Sequence, residues 1–128
     1  MYNEKVIQEF SNPKNVGVLH GHNAQGTTSN EVTNEIIRLY LLINDGKIQD
    51  AKFKAFGGVE CIAMCSVTCD LIKGLGLDAL QTLSAEKYTS RLGELTSDNS
   101  KLLLVQIKQT LDNAVADYYK RLAKAQKK

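Results

Sequence analysis

Three cysteines carry the clearest chemical potential in this chain: Cys61, Cys65 and Cys69, in the run Cys-Ile-Ala-Met-Cys-Ser-Val-Thr-Cys. Four-residue steps set them on one stripe of a helix, a stripe that drifts slowly around the axis. At about 1.5 Å of rise per residue, neighbours in the stripe lie about 6 Å apart and the outer pair about 12 Å. Two sulfurs on one metal, each at about 2.3 Å, sit no more than about 4.6 Å from one another. Cys61 and Cys65 can therefore share an ion, whereas Cys69 cannot easily join both. The spacing also differs from the Cys-x2-Cys runs that wrap a metal as loops. A single helix cannot close such a cage, so further ligands must come from elsewhere. A second copy of the chain across a twofold axis would set one stripe against its twin and bring six thiols together.

Packing is the competing reading. Free cysteine is among the most buried residue types and behaves as a small hydrophobe, and for Cys65 and Cys69 core packing stands level with ligation. Cys61 differs, because it lies near the start of its helix, where backbone N–H groups stabilise a thiolate. Glu60 beside it is a candidate auxiliary ligand and also ordinary compensation of the helix dipole. Glu35 is a second candidate carboxylate, or a strand-edge charge. His20 and His22 form a His-x-His in a Gly/Asn-rich loop, a pattern more often solvated than metal-bound. Gly57-Gly58 is no phosphate loop, since the P-loop lysine is missing. No Ser/His/Asp or Cys/His pairing supports a hydrolytic site, and the chain reads as non-enzymatic.

The elements that must position these residues can be read from pattern. Asn3 caps a short helix over Tyr2 to Phe10, stopped by the one proline, Pro13, in Ser-Asn-Pro-Lys-Asn-Val-Gly. From Val18 to Asn30 the chain reads as a loop with one edge strand. Glu35 to Phe56 is β-branched and aromatic, interrupted by Asn44-Asp45-Gly46, which signals a hairpin. Ile37, Leu39, Leu41 and Ile43 share one face, and Ala51, Phe53 and Ala55 alternate with Lys52 and Lys54. Gly57 and Gly58 then open a central helix from about Glu60 to Lys73, with Gly74 and Gly76 as candidate stops. Short helical pieces follow over Leu77 to Leu83 and Ala85 to Leu92. The last helix, Lys101 to about Lys124, places Leu104, Ile107, Leu111, Ala114, Tyr118 and Leu122 at three- and four-residue spacing, with Gln106 outside the stripe. The order describes one α+β domain over residues 1–128, a small antiparallel β-sheet of about three strands covered by helices on one face.

Composition narrows the class. The chain has 128 residues, 43% hydrophobic and 23% charged, enough for a single core. Sixteen Lys and Arg against fourteen Asp and Glu leave a formal charge of +2, too even for a nucleic-acid or membrane-surface binder. The basic end at Arg121, Lys124, Lys127 and Lys128 reads as a solvated helix terminus or a contact for an acidic partner. An odd cysteine count, with no signal peptide and no membrane-length apolar run, predicts a reducing, cytoplasmic setting.

Several stretches together resemble the IscU/NifU N-terminal family of iron–sulfur cluster assembly scaffolds. They are Glu4-Lys5-Val6-Ile7 with Asn12-Pro13-Lys14-Asn15-Val16-Gly17, then Ile43 to Lys54, then Ile72-Lys73-Gly74 with Leu77-Asp78, and finally Ala114-Val115-Ala116-Asp117-Tyr118. The match runs nearly end to end in unbroken order. The resemblance implies the family's α+β fold, a cluster held on three cysteines helped by an Asp and often a His, and sulfur received from a cysteine desulfurase. The family's Ala-Cys-Gly-Asp falls on Val32-Thr33-Asn34-Glu35, its Gly-Cys-Gly on Gly57-Gly58-Val59, and its His-Cys on Leu102-Leu103, so only the carboxylate survives in kind. Soft thiolates select iron–sulfur clusters, and Thr, Gly and Leu do not replace them. The Leu-Pro-Pro-Val-Lys motif by which many members bind a chaperone is also missing, with Thr96-Ser97-Asp98-Asn99-Ser100 in its neighbourhood.

The resemblance thus implies a scaffold-like protein of iron–sulfur cluster assembly that binds iron or a nascent cluster and accepts sulfide, with a cysteine desulfurase and apo-protein acceptors of the cluster as expected partners. The site itself is expected from helix geometry, at the non-standard set Cys61, Cys65 and Cys69 with Glu35 and Glu60 as auxiliaries, and the same geometry suggests a second copy sharing the cysteine stripe. The alternative is a cluster-free interaction protein that docks on or regulates a desulfurase or another assembly component.

Overall fold

The computed structural model describes residues 2–126. Along the chain come α1 (Glu4–Ser11), strands β1 (Ala24–Ser29), β2 (Ile36–Asn44) and β3 (Lys47–Phe56), and α2 (Val59–Ile72). Two short 3-10 segments, α3 (Thr89–Leu92) and the long α4 (Asp98–Gln126) complete it. The sheet is antiparallel throughout in the order β1-β2-β3, so the α+β expectation holds.

Local chemistry sets the boundaries. The Asn3 side chain accepts from the Val6 amide at 2.9 Å and so starts α1. The hairpin turns at Asp45 (φ 54°) and Gly46 (φ 72°), left-handed positions that Asp and Gly tolerate best. α2 starts after Gly58, with Lys73 already extended behind its last residue, Ile72. The two short segments read as helical are mostly 3-10 turns, Leu77–Thr82 and Ala85–Tyr88.

Register assigns the faces. Leu39 pairs with Gly26 on one side and Phe53 on the other, and Leu41 with Ala24 and Ala51. This inner face is buried against α2, which packs on β3, and α4, which packs on β1. Each fully buried Leu, Ile or Phe contributes about 1.5–3 kcal/mol relative to exposure. The last helix departs from its expected stripe: Leu103, Gln106, Ile107, Thr110, Leu111 and Ala114 turn inward, Leu104 only partly, and Leu122 lies exposed. Two hydrogen bonds explain the polar entries. Thr110 and Thr28 share one of 2.7 Å, and the Gln106 amide donates to the Glu35 carbonyl at 3.1 Å.

The C-terminal half of α2 is locked to α1 and α3 by ions. Arg91 donates to Glu9 and Asp70, and Asn15 and Lys73 add bonds to the same group. Burial alone would raise the Asp70 pKa, but the Arg91 hydrogen bond, helped by Asn15 and Lys73, holds it below the usual carboxylate value. Among the described residues no helix is long and apolar enough to cross a membrane. Lys127 and Lys128, half of the basic C-terminal cluster, lie outside the described residues.

Candidate functional site

The end of the sheet nearest the start of α2 gathers three segments that are remote in sequence. The first is the turn before β2. Its Asn30 side chain accepts from the Val32 and Thr33 amides at 2.9 and 3.2 Å, and the Thr33 hydroxyl accepts from the Glu35 amide at 3.3 Å. Asn34 sits at φ 63° between them. These bonds aim the Glu35 carboxylate across the sheet, where it accepts from the Gly58 amide at 3.4 Å.

The second segment is Gly57-Gly58, leading out of β3. A Cβ built on Gly57 would lie 2.8 Å from the Cys61 sulfur and 3.1 Å from Glu35 Oε2. Glycine is required there because the thiol and the carboxylate already flank the space a side chain would take. The third segment is the first part of α4, where Gln106 braces the Glu35 backbone and Leu102 is 58% exposed. Of the positions that the family resemblance pointed to, Thr33, Glu35 and Gly58 therefore meet, and α4 reaches the same turn through Gln106, one helical turn after the Leu102-Leu103 pair.

The cysteine stripe is placed differently from the expectation of a shared interface. Cys61, Cys65 and Cys69 are each 0% exposed, enclosed by the chain's own sheet and helices. No twin helix reaches them without prising α2 from the core, so the expected homodimer sharing the stripe is corrected by this burial. The Cys65 thiol is pushed well up in pKa, first by its hydrogen bond with Cys61 and then by burial. Burial pushes Cys69 up to about 12. Both environments favour the neutral thiol over the thiolate that binds metal. Cys61 alone of the three touches the glycine turn.

The remaining candidates separate. Glu60, 9% exposed, accepts from Asn99 at 2.7 Å and from the Ser97 hydroxyl at 3.4 Å, so among the described residues its hydrogen bonds run to the α4 start and not to Glu35 or Cys61. A cavity of about 770 Å³ opens beside it, lined also by Tyr2, Asn3, Glu94 and Leu95. His22 packs its ring on Tyr40 with centroids 5.1 Å apart, and Arg121 donates to the His22 carbonyl. Arg121 and Asn99 are about 33 Å apart along α4, which puts the His-x-His at the opposite end from Glu60. Among the described residues no three His, Cys, Asp or Glu side chains converge into a ready metal cage.

Sequence reading missed Gln106, which it placed on the polar side, and the Ser97/Asn99 cradle of Glu60. The signal for Gln106 was available, since it stands three residues after Leu103 and four before Thr110 on the buried stripe.

Comparison with known proteins bears on the family and the fold. The protein is 28% identical over 127 residues to the iron-sulfur cluster assembly scaffold protein IscU 1 of Archaeoglobus fulgidus, covering 99% of this chain and 82% of that one. It is 33% identical over 122 residues to the scaffold protein IscU of Escherichia coli K12, covering 91% and 93%. Its fold matches the crystal structure of the N-terminal part of a nitrogen-fixing NifU-like protein from Brucella abortus at 18% identity, with a TM-score of 0.71 over 95% of this chain and 94% of that one. The family model for the NifU-like N terminal domain matches residues 1–125, and the chain belongs to that family.

Proposed function

We propose that this protein acts in iron–sulfur cluster assembly as a scaffold-type, non-enzymatic component of the cytoplasm, taking iron or a nascent cluster as cargo at the Glu35–Gly57–Gly58–Cys61 turn. The observation that carries the reading is the juxtaposition of one carboxylate and one thiol around a glycine, at the place where the family resemblance implies a cluster. Glu35 supplies a hard oxygen and Cys61 a soft sulfur, a pair suited to iron. Cys65, one helical turn on from Cys61, is the next thiol a metal drawn inward would meet. The raised Cys69 pKa supports a packing role for that residue. Sulfide and a protein partner complete the coordination, with a cysteine desulfurase as the source of sulfur and apo-proteins as acceptors.

A second reading, a cluster-free protein that docks on a desulfurase or another assembly component, is favoured by the burial of all three thiols. One experiment separates the two. After anaerobic incubation with ferrous iron and sulfide, then desalting, the scaffold reading expects visible charge-transfer absorption with iron and sulfide bound. A colourless, metal-free protein that still co-elutes with a desulfurase would transfer support to the docking reading.

A further inference from the structure

The sheet face turned away from α2 and α4 carries an arrangement that the fold itself does not need. Register places three rows across it: Ser29, Ile36 and Phe56; then Thr27, Arg38 and Lys54; then Gln25, Tyr40 and Lys52. Tyr40 is covered by His22, but Arg38 and Lys54 are exposed, and Phe56 is 72% exposed beside a half-exposed Ile36. Arg38 and Lys54 stand directly opposite one another on neighbouring strands, a like-charge pairing that destabilises a sheet. The Thr27 hydroxyl accepts from Arg38 Nε at 3.0 Å and keeps the guanidinium on this face. Among the described residues none of Arg38, Lys52 and Lys54 has a carboxylate within salt-bridge distance.

We infer that this outer face, the Ile36–Phe56 pair together with Arg38, Lys52 and Lys54, docks a partner protein that presents carboxylates beside an apolar side chain. Charge complementarity selects that partner. Three unanswered cations in two adjacent rows would be neutralised by acidic side chains spaced along a strand or helix edge, and the exposed apolar pair beside them would be covered by the partner's hydrophobic residue. A nucleic acid fits less well, because the whole chain carries only +2. Phe56 immediately precedes Gly57, so a partner seated here would border the candidate cargo site. The inference stands whether or not cargo is held there.

The test uses the intact protein and a short fluorescein-labelled peptide of alternating glutamate and leucine, read by fluorescence anisotropy at low salt. Saturable binding is expected, weakened about tenfold by R38Q/K54Q and also by F56S. R38Q/K54Q should melt no lower than wild type, since it removes facing like charges, which separates lost binding from lost folding. Lys5 on α1 and Lys87 ahead of α3, both exposed on the helical side, provide the charge-matched control, and K5Q/K87Q should leave binding unchanged. Absent binding, equal binding of the glutamine–leucine peptide, retention in R38Q/K54Q, equal weakening by K5Q/K87Q, or tighter binding of oligouridylate would each overturn the inference.

Discussion

The two ends of α2 use similar residues to opposite effect. At the C-terminal end Asp70 meets Arg91, Asn15 and Lys73, and Arg91 also reaches Glu9, so each charge has an opposite charge within the chain. At the N-terminal end, among the described residues, Glu60 accepts only from the neutral Asn99 and Ser97, and the Glu35 carboxylate only from a backbone amide. A fully buried cysteine accompanies each end, Cys69 at the ionic end and Cys61 against the glycine turn. Charges that answer one another internally hold α1, α2 and α3 together, whereas Glu35 and Glu60 have no cation within salt-bridge distance among the described residues, as the proposed cargo site requires.

The sharpest way to break this contrast is to disable the ionic end. Arg91→Ala leaves two partly buried carboxylates facing each other, and a loss of about 2–3 kcal/mol is expected in urea unfolding. Glu35→Gln at the other end should cost less than about 0.5 kcal/mol, because it keeps an acceptor for Gly58. Equal losses would remove the distinction between the ends. Gly57→Ala comes next, at about 1–3 kcal/mol, since its methyl would press on the Cys61 sulfur and the Glu35 carboxylate. Stability unchanged by that substitution would mean the turn is looser than the contacts indicate.

A smaller effect concerns pH. Cys69 is held neutral in the fold up to about 12, against an ordinary value of 9.0. Above about pH 9 the unfolded chain releases this proton and the folded chain does not, so stability present below that pH is lost as pH rises towards 12. Cys69→Ala should flatten the alkaline fall by up to about 1.4 kcal/mol per pH unit while leaving the acid side unchanged. An alkaline slope identical in wild type and variant would indicate that Cys69 is ionised in the fold. On the acid side the depressed Asp70 works in the other direction. Its contribution is present above the unfolded carboxylate pKa and is lost as pH falls through the lower folded value.

Much of the fold was legible because its signals are local. Asn3, Pro13, Asn44-Asp45-Gly46 and the alternation from Ile37 to Ile43 state a cap, a stop, a turn and a buried face without reference to anything distant. The site was legible only in part. The cysteine spacing predicted a stripe, but which way the stripe faces depends on how α2 seats on β3, a long-range fact that helical spacing does not encode. Glu35 was readable as a surviving carboxylate through the family resemblance. Its approach to Cys61 was not, because the two meet across Gly57, a residue whose importance lies in the side chain it lacks. Glu60 looked like a companion of Cys61 by adjacency in sequence, yet successive helix positions point about 100° apart, and its hydrogen bonds run to the α4 start.

The central claim is that cargo meets this protein at the glycine turn, through Glu35 and Cys61, and not at the far end of the buried stripe at Cys69. Iron and sulfide retained per chain after anaerobic loading and desalting, compared among wild type, Glu35→Gln, Cys61→Ser and Cys69→Ser, test it most directly. The account predicts that the first two variants lose most of the bound iron while Cys69→Ser retains it. Iron lost only in Cys69→Ser, or no iron held by the wild type, would contradict it.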